Sequence, residues 1–176
     1  MGDQASTNGR ITVDPAAVAR NYQALAASTR AECGAVVKAN AYGCGIEAVA
    51  PALARAGART FFVATAAEGL ALRRILPEPT IYVMNGCFED ARTLVEARLI
   101  PFISSLEALA DWPREAPFAL NIDSGMNRLG LSVGEALSVD VAPGLLASHF
   151  ASADTPDHSQ HAAQEAAFAV VRGALS

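Results

Sequence analysis

The sequence predicts an α/β fold made of about six consecutive parallel βα units. Six short apolar runs recur along the chain, they are continuous rather than alternating, and the stretches between them open with helix-start signals. A continuous apolar run fits a strand buried on both faces of a parallel sheet. Successive runs begin mostly about 20 residues apart, which leaves room for a parallel crossover.

In chain order, a helix over about Asp14 to Ala27 comes first. The strand candidates are Ala35 to Lys38, Thr60 to Ala64, Thr80 to Met84, Ile100 to Ile103, Phe118 to Ile122 and Leu145 to His149. Between them, Thr65 and Glu68 have capping-box spacing, as do Ser104 and Glu107, and Ser132 and Glu135. Asp157 and Gln160 resemble the same device before a last helix, about Gln160 to Gly173. No repeat, low-complexity tract or linker interrupts the series.

The bulk composition bounds the function. The 176 residues are enough for one domain with a sizeable core, and 52% hydrophobic against 18% charged residues favours folding. Alanine supplies much of the hydrophobic share, which favours helices. A net charge of -5 and the lack of a basic block argue against nucleic acid as a partner. The apolar runs fall far short of the roughly 20 residues of a membrane span. The start, "MGDQASTNGR", has no apolar core of a secretory signal, although Gly2 and Ser6 meet the short, common myristoylation pattern. Cys33, Cys44 and Cys87 are widely spaced, as expected of reduced thiols in a cytoplasmic protein. Three histidines and no cysteine pair give no metal site.

Repeated βα units build either an open doubly wound sheet or a (β/α)8 TIM-type barrel. "KANAYGCG" after the first strand is neither G-x-G-x-x-G nor a P-loop, which argues against an open nucleotide-binding sheet. In a barrel, catalytic groups gather at the carboxyl ends of strands. Lys38, Asn121, the "DSGMNRLG" loop and His149 all fall there.

Each of these residues has a plain reading and a chemical one. A strand-end lysine ordinarily snorkels to solvent, but a lysine held on a rigid element can form an imine with an aldehyde. Pyridoxal phosphate then serves as an electron sink. Tyr42 is either a packed loop aromatic or a phosphate ligand through its hydroxyl. Gly43 and Gly45 allow the chain to turn closely beside a cofactor. Asp123, Ser124, Gly125 and Asn127 are turn formers, and Arg128 among them is either solvated or a fixed donor to a phenolate or carboxylate. His149 is either a satisfied strand-end histidine or a flat ring stacked on a cofactor.

Taken together, "VVKANAYGCG", "NIDSGMNRLG" and "SHFASAD" resemble three ordered motifs of the alanine racemase family, the first usually seen there as KANAYGHG. The resemblance extends from "RITVDPAAVARNYQAL" to the final helix. It implies a barrel that binds pyridoxal phosphate and interconverts L- and D-alanine for cell-wall peptidoglycan, in a cytoplasmic homodimer. It further implies that Lys38 carries the cofactor and exchanges the α-proton on the D-alanine side. Tyr42 would hold the phosphate, Arg128 would contact the ring's phenolic oxygen and the substrate, and His149 would pack on the ring.

Three departures qualify the match. Cys44 stands where the family motif has histidine, just outside the chemistry. Asn121 stands where many members carry a carbamylated lysine, so a small anion such as chloride, or a nearby carboxylate, is expected beside Arg128. The family's barrel has eight strands followed by a mainly β domain, which implies that residues 1–176 are an incomplete, amino-terminal, cofactor-binding portion. The second base, a tyrosine reaching the partner's site, and most phosphate ligands would then lie outside it. The competing readings are a non-catalytic barrel that holds pyridoxal phosphate and manages its supply, and an inactive remnant.

Overall fold

A computed structural model describes residues 11–86, 91–155 and 157–175. Six strands form one sheet: β1 (Ala35–Val36), β2 (Thr60–Val63), β3 (Thr80–Val83), β4 (Leu99–Ile103), β5 (Ala119–Ile122) and β6 (Leu145–Ser148). Every pairing is parallel, and the strands lie side by side in the order in which they occur in the chain. With the intervening helices on the outside, this is an incomplete (β/α) barrel.

The helices are α1 (Pro15–Ala27), α3 (Ile46–Arg55), α4 (Ala66–Ile75), α5 (Ala91–Glu96), α6 (Leu106–Asp111), α7 (Val133–Leu137) and α8 (Gln160–Leu175); the segment α2 (Lys38–Tyr42) is of a different kind, taken up below. Asp14 caps α1 by accepting the Ala16 N–H at 2.9 Å, with Pro15 at the first helical position. The capping boxes at Thr65/Glu68 and Ser132/Glu135 form as expected.

Two expected caps do not. The cap of α6 is Ser105, whose hydroxyl accepts the Ala108 N–H; Ser104 instead accepts a hydrogen bond from Asn121. Two adjacent serines offer two registers, and the contact to β5 selects one. At α8 the Gln160 N–H donates to His158 Nδ1 at 3.2 Å, and the Gln160 side chain donates to the Gly125 carbonyl. The Gln160 side chain is therefore held by a neighbouring loop and does not reach back to Asp157. Ser6 and Cys87 lie outside the described residues.

Burial along the strands alternates, which differs from the two-sided burial expected. Phe61, Val63, Ile81 and Val83 face the helices and are fully buried. Phe62 and Tyr82, on the opposite face, are half-buried. They stack with ring centroids 5.2 Å apart, and Phe102 meets both edge-on at 6.1 and 5.9 Å. Such pairs add about 0.5–1.5 kcal/mol each beyond area burial. This aromatic layer fills the inner face of β2–β4, and Phe102 reaches up to line the cleft above it.

At the opposite end of the strands Arg73 ties the outer loops together. Its guanidinium donates to the carbonyls of Pro77, Pro79, Ala97 and Arg98, at 2.7 to 3.1 Å. No helix among the described residues is long and apolar enough to cross a membrane.

Candidate functional site

The chain leaves β1 one residue earlier than the apolar run does. Val37 still pairs with β2, its N–H donating to the Phe62 carbonyl at 2.9 Å, but Lys38 already begins a turn. That turn is left-handed. Ala39, Asn40 and Ala41 have φ of 51°, 54° and 54° with ψ near 49°, and Tyr42 has φ of 54°. The left-handed conformation costs a non-glycine residue roughly 1–2 kcal/mol. Four in succession store strain that the surroundings must offset.

The offset is visible in the hydrogen bonds. Ala41 donates to the Val37 carbonyl at 3.0 Å, and Gly43 to that of Ala39 at 2.9 Å. The Asn40 side chain accepts the Ile46 N–H at 2.8 Å and so starts α3. From outside the turn, the Glu68 carboxylate accepts the Ala39 N–H at 2.8 Å. A charged hydrogen bond contributes about 1.5–3 kcal/mol, comparable with the strain of one or two of these residues. Gly43 and Gly45 also have positive φ, at 81° and 90°, and a Cβ at either would meet open space. Their positive φ gives both glycines a conformational role in this turn.

The result is that the Lys38 side chain enters a cleft of about 260 Å³ at the carboxyl ends of the strands. Asn121, Asp123, Arg128, Ser148 and His149 share it. Among the described residues neither the Lys38 amine nor the Arg128 guanidinium has a hydrogen-bond or ion-pair partner. Tyr42 does not line the cleft. It is 63% exposed at the rim, its ring centroid 5.9 Å from Lys38 Nζ.

Arg128 is delivered by the loop after β5. The Asp123 carboxylate organises that loop from within by accepting the N–H groups of Gly125 at 2.9 Å and Asn127 at 3.0 Å. Burial pushes the Asp123 carboxyl up, yet these N–H groups, with those of Met126 and Arg128, hold it below the usual carboxylate range. The loop closes back on β5 through Leu131, which donates to the Asn121 carbonyl and accepts from the Asp123 N–H, both at 2.8 Å. Asn121 does not bond to Arg128. Its amide donates to Ser104 Oγ and to the Leu129 carbonyl, both at 3.1 Å. Asp123 is the nearest carboxylate in the cleft lining, and it is occupied by the loop backbone.

His149 follows β6. Burial lowers the pKa of its imidazole, and the positive charges of Arg128 and Lys38 lower it further. Both effects favour the uncharged form of the ring, although the residue as a whole is exposed. Its carbonyl accepts Gln164 Nε2 at 3.0 Å, while Gln164 Oε1 accepts the Ala151 N–H at 3.0 Å. Gln164 is buried on α8, and Ser124 and Ser148 bond to each other at 2.7 Å beside it. Sequence reasoning missed Gln164 and the outward reach of Glu68. A glutamine in an alanine-rich helix gives no local sign that it is buried. The capping-box signature of Glu68 accounts for one oxygen and conceals what the other does.

Among the described residues no group of three or more His, Cys, Asp or Glu side chains is placed to hold a metal. Cys33 and Cys44 are free thiols. Two unpaired cations beside an imidazole make a site for an anionic, flat ligand. The fold is thus of the βα-barrel class, with a lysine amine at the carboxyl end of its first strand, the end where such barrels carry their sites.

The family model described as alanine racemase, N-terminal domain, matches residues 13–176. The chain belongs to the alanine racemase family. It is 46% identical over 174 residues to the alanine racemase of Acidiphilium cryptum and 43% identical over 182 residues to that of a Methylobacterium species. These matches cover 90% and 94% of this chain but 49% and 50% of the relatives, so the chain spans about half their length. Among solved structures, it superposes on Bartonella henselae alanine racemase with covalently bound pyridoxal phosphate at a TM-score of 0.87 and 35% identity, over 93% of this chain and 53% of that one. The E. faecalis enzyme matches at a TM-score of 0.81 and 26% identity, over 93% of this chain and 50% of that one.

Proposed function

We propose that these residues form the pyridoxal-phosphate-binding part of an alanine racemase, a cytoplasmic homodimeric isomerase that supplies D-alanine for peptidoglycan. The observation that carries the proposal is the convergence of an unpaired Lys38 amine, an unpaired Arg128 guanidinium and the His149 ring on one cleft. That donor set fits the cofactor, which has an aldehyde for the amine, a phenolic oxygen for the guanidinium and a flat ring for the imidazole. When bound, pyridoxal phosphate would supply an electron sink that makes a neighbouring α-proton removable.

The chain's own residues then have distinct tasks. Lys38 would anchor the cofactor and would hold or release the proton at one face of the substrate α-carbon through Nζ. Arg128 donates to the phenolic oxygen and orients the substrate carboxylate. The His149 ring packs against the cofactor. Tyr42, at the rim, donates its hydroxyl to the phosphate. A chloride ion or similar small anion accepts from Arg128, because Asn121 offers it no charge and the Asp123 carboxylate is taken by the loop.

Inversion needs a proton taken from one face and returned to the other. The Tyr22 hydroxyl donates to the Cys33 carbonyl, Tyr82 stacks in the aromatic layer, and Tyr42 sits on the same turn as Lys38. In this reading the second base therefore comes from outside residues 1–176, and the 176 residues alone turn over about 100- to 10,000-fold more slowly than a complete enzyme.

Borohydride reduction of the cofactor-loaded chain tests the central assignment. A phosphopyridoxyl group is expected on Lys38 by peptide mapping, and label on another lysine would sink it. Racemisation by the 176-residue chain at the rate of a complete enzyme would show the second base to be misplaced. A crystal structure grown with bromide should show the ion beside Arg128; its absence there removes the anion from the proposal.

A further inference from the structure

We propose that Glu68 is a positioning residue for Lys38, an inference that rests on the assignment of Lys38 as the cofactor lysine. The Glu68 carboxylate is half-buried at the start of α4 and bridges two elements. One oxygen accepts the Ala39 N–H at 2.8 Å, in the peptide that follows Lys38. The other accepts the Ala64 N–H at 2.7 Å, at the end of β2. The left-handed turn carrying Lys38 is thereby tied to the neighbouring strand through one carboxylate.

A second capping box in the same chain shows that this is more than helix capping. At α7, Glu135 accepts the backbone N–H of its cap residue Ser132 at 2.8 Å and bonds the Ser132 hydroxyl at 2.7 Å. At α4, the corresponding bond from the Thr65 N–H to Glu68 is stretched to 3.3 Å. The cap hydroxyls accept their helix N–H at 3.3 Å in both boxes, so the helix starts are otherwise alike. Glu68 has moved off its own cap toward Ala39 and Ala64.

The consequence concerns the Lys38 backbone. A turn of four left-handed non-glycine residues has a lower-energy alternative in which its first peptide rotates. The Ala39 N–H is the group such a rotation would displace, and a carboxylate fixed on both sides opposes it. Glutamine at position 68 keeps the shape but presents an NH2 to one of the two N–H donors, so it can hold only one side.

The test uses the full chain loaded with pyridoxal phosphate, and follows three readouts: cofactor affinity, the absorbance change of the lysine adduct, and the rate at which borohydride fixes label on Lys38. Glu68→Gln is expected to weaken loading about tenfold or more, the scale of one lost charged hydrogen bond. Glu135→Gln breaks the matched cap on another helix, one with no bond to the Lys38 turn, and is expected to load as the parent does. Equal loading by Glu68→Gln and the parent overturns the inference, and so does an equal loss in Glu135→Gln, which would reduce the effect to general stability. If Glu68→Gln does not fold, Thr65→Ala decides the matter. It weakens the same helix start while leaving the bridge intact, and should load as the parent does; a tenfold loss there overturns the inference. Failure of the parent chain to label Lys38 is a separate result and refutes the assignment of the lysine itself.

Discussion

The turn after β1 and the loop after β5 each bring one cation to the same cleft, and they are held in opposite ways. The Lys38 turn is short, contains four consecutive left-handed residues that are not glycine, and depends on a carboxylate from a distant helix. The Arg128 loop is longer, places Gly125, Asn127 and Gly130 where φ is positive, and carries its own carboxylate in Asp123. The short turn ties itself forward to α3 through Asn40 but takes its tie to the neighbouring strand from Glu68, outside it. A long loop can supply both its acceptor and its glycines.

The sharpest way to break this comparison is at Gly130. Its φ is 130°, and a Cβ there would lie 2.5 Å from the Asp123 nitrogen and 2.8 Å from the Ile122 carbonyl carbon, neither of which can move aside. Gly130→Ala should destabilise the fold by about 3–5 kcal/mol by calorimetry. Gly43→Ala, in the other segment, meets nothing and should lose only about 1 kcal/mol. Similar losses in the two would show that the Arg128 loop is no better packed than the Lys38 turn.

Next in size is Asp123→Ala, expected to lose about 1–2 kcal/mol at neutral pH as the loop N–H groups lose their acceptor. The Asp123 carboxyl is held below its ordinary 3.8 in the folded chain. Its contribution is therefore complete above that value and disappears as pH falls through the lower folded one. Urea unfolding of parent and variant should show the gap closing in strong acid. A gap independent of pH would mean that the charge does not organise the loop.

A sign reversal tests the strained turn. Ala39→Gly should stabilise the chain by up to about 1 kcal/mol, because glycine accepts φ of 51° without penalty. Ala67→Gly, on the exposed face of the right-handed α4, should destabilise by about 1 kcal/mol. The same sign at both sites would remove the case for stored strain.

The smallest effect is electrostatic. NMR titration of His149 in the chain without cofactor should give a midpoint below the ordinary 6.5. Arg128→Ala should raise it only part of the way, since burial is the larger cause. The unfolded chain takes up this proton near 6.5 and the folded chain does so at lower pH, so stability declines slightly as pH drops below 6.5. Full recovery to 6.5 in Arg128→Ala would make charge, not burial, the dominant cause.

Much of this was legible in the sequence, for identifiable reasons. Parallel strands are short apolar runs between capped helices, and Lys38, Asn121, Arg128 and His149 share a cleft at their carboxyl ends, whereas Tyr42 stays at its rim. Less accessible was the backbone of Ala39–Tyr42, because alanine carries no mark of a left-handed conformation that tertiary ties impose. Ser104 and Asn121 each look like ordinary local residues, and their pairing exists only across β4 and β5. Gln164 and Glu68 act through bonds spanning many residues, which no local spacing encodes.

The strand order has a consequence for how the chain comes into being. Because each strand lies beside the one before it, a ribosome releasing the chain delivers every new βα unit to a neighbour already made. Each strand pairs with the one made just before it, so growth of the sheet does not wait on distant residues. The cleft behaves differently. Lys38 emerges with the first strand, whereas Arg128 and His149 follow the fifth and sixth. The lysine is thus in place before Arg128 and His149, which join it in the cleft only once the fifth and sixth strands have been made.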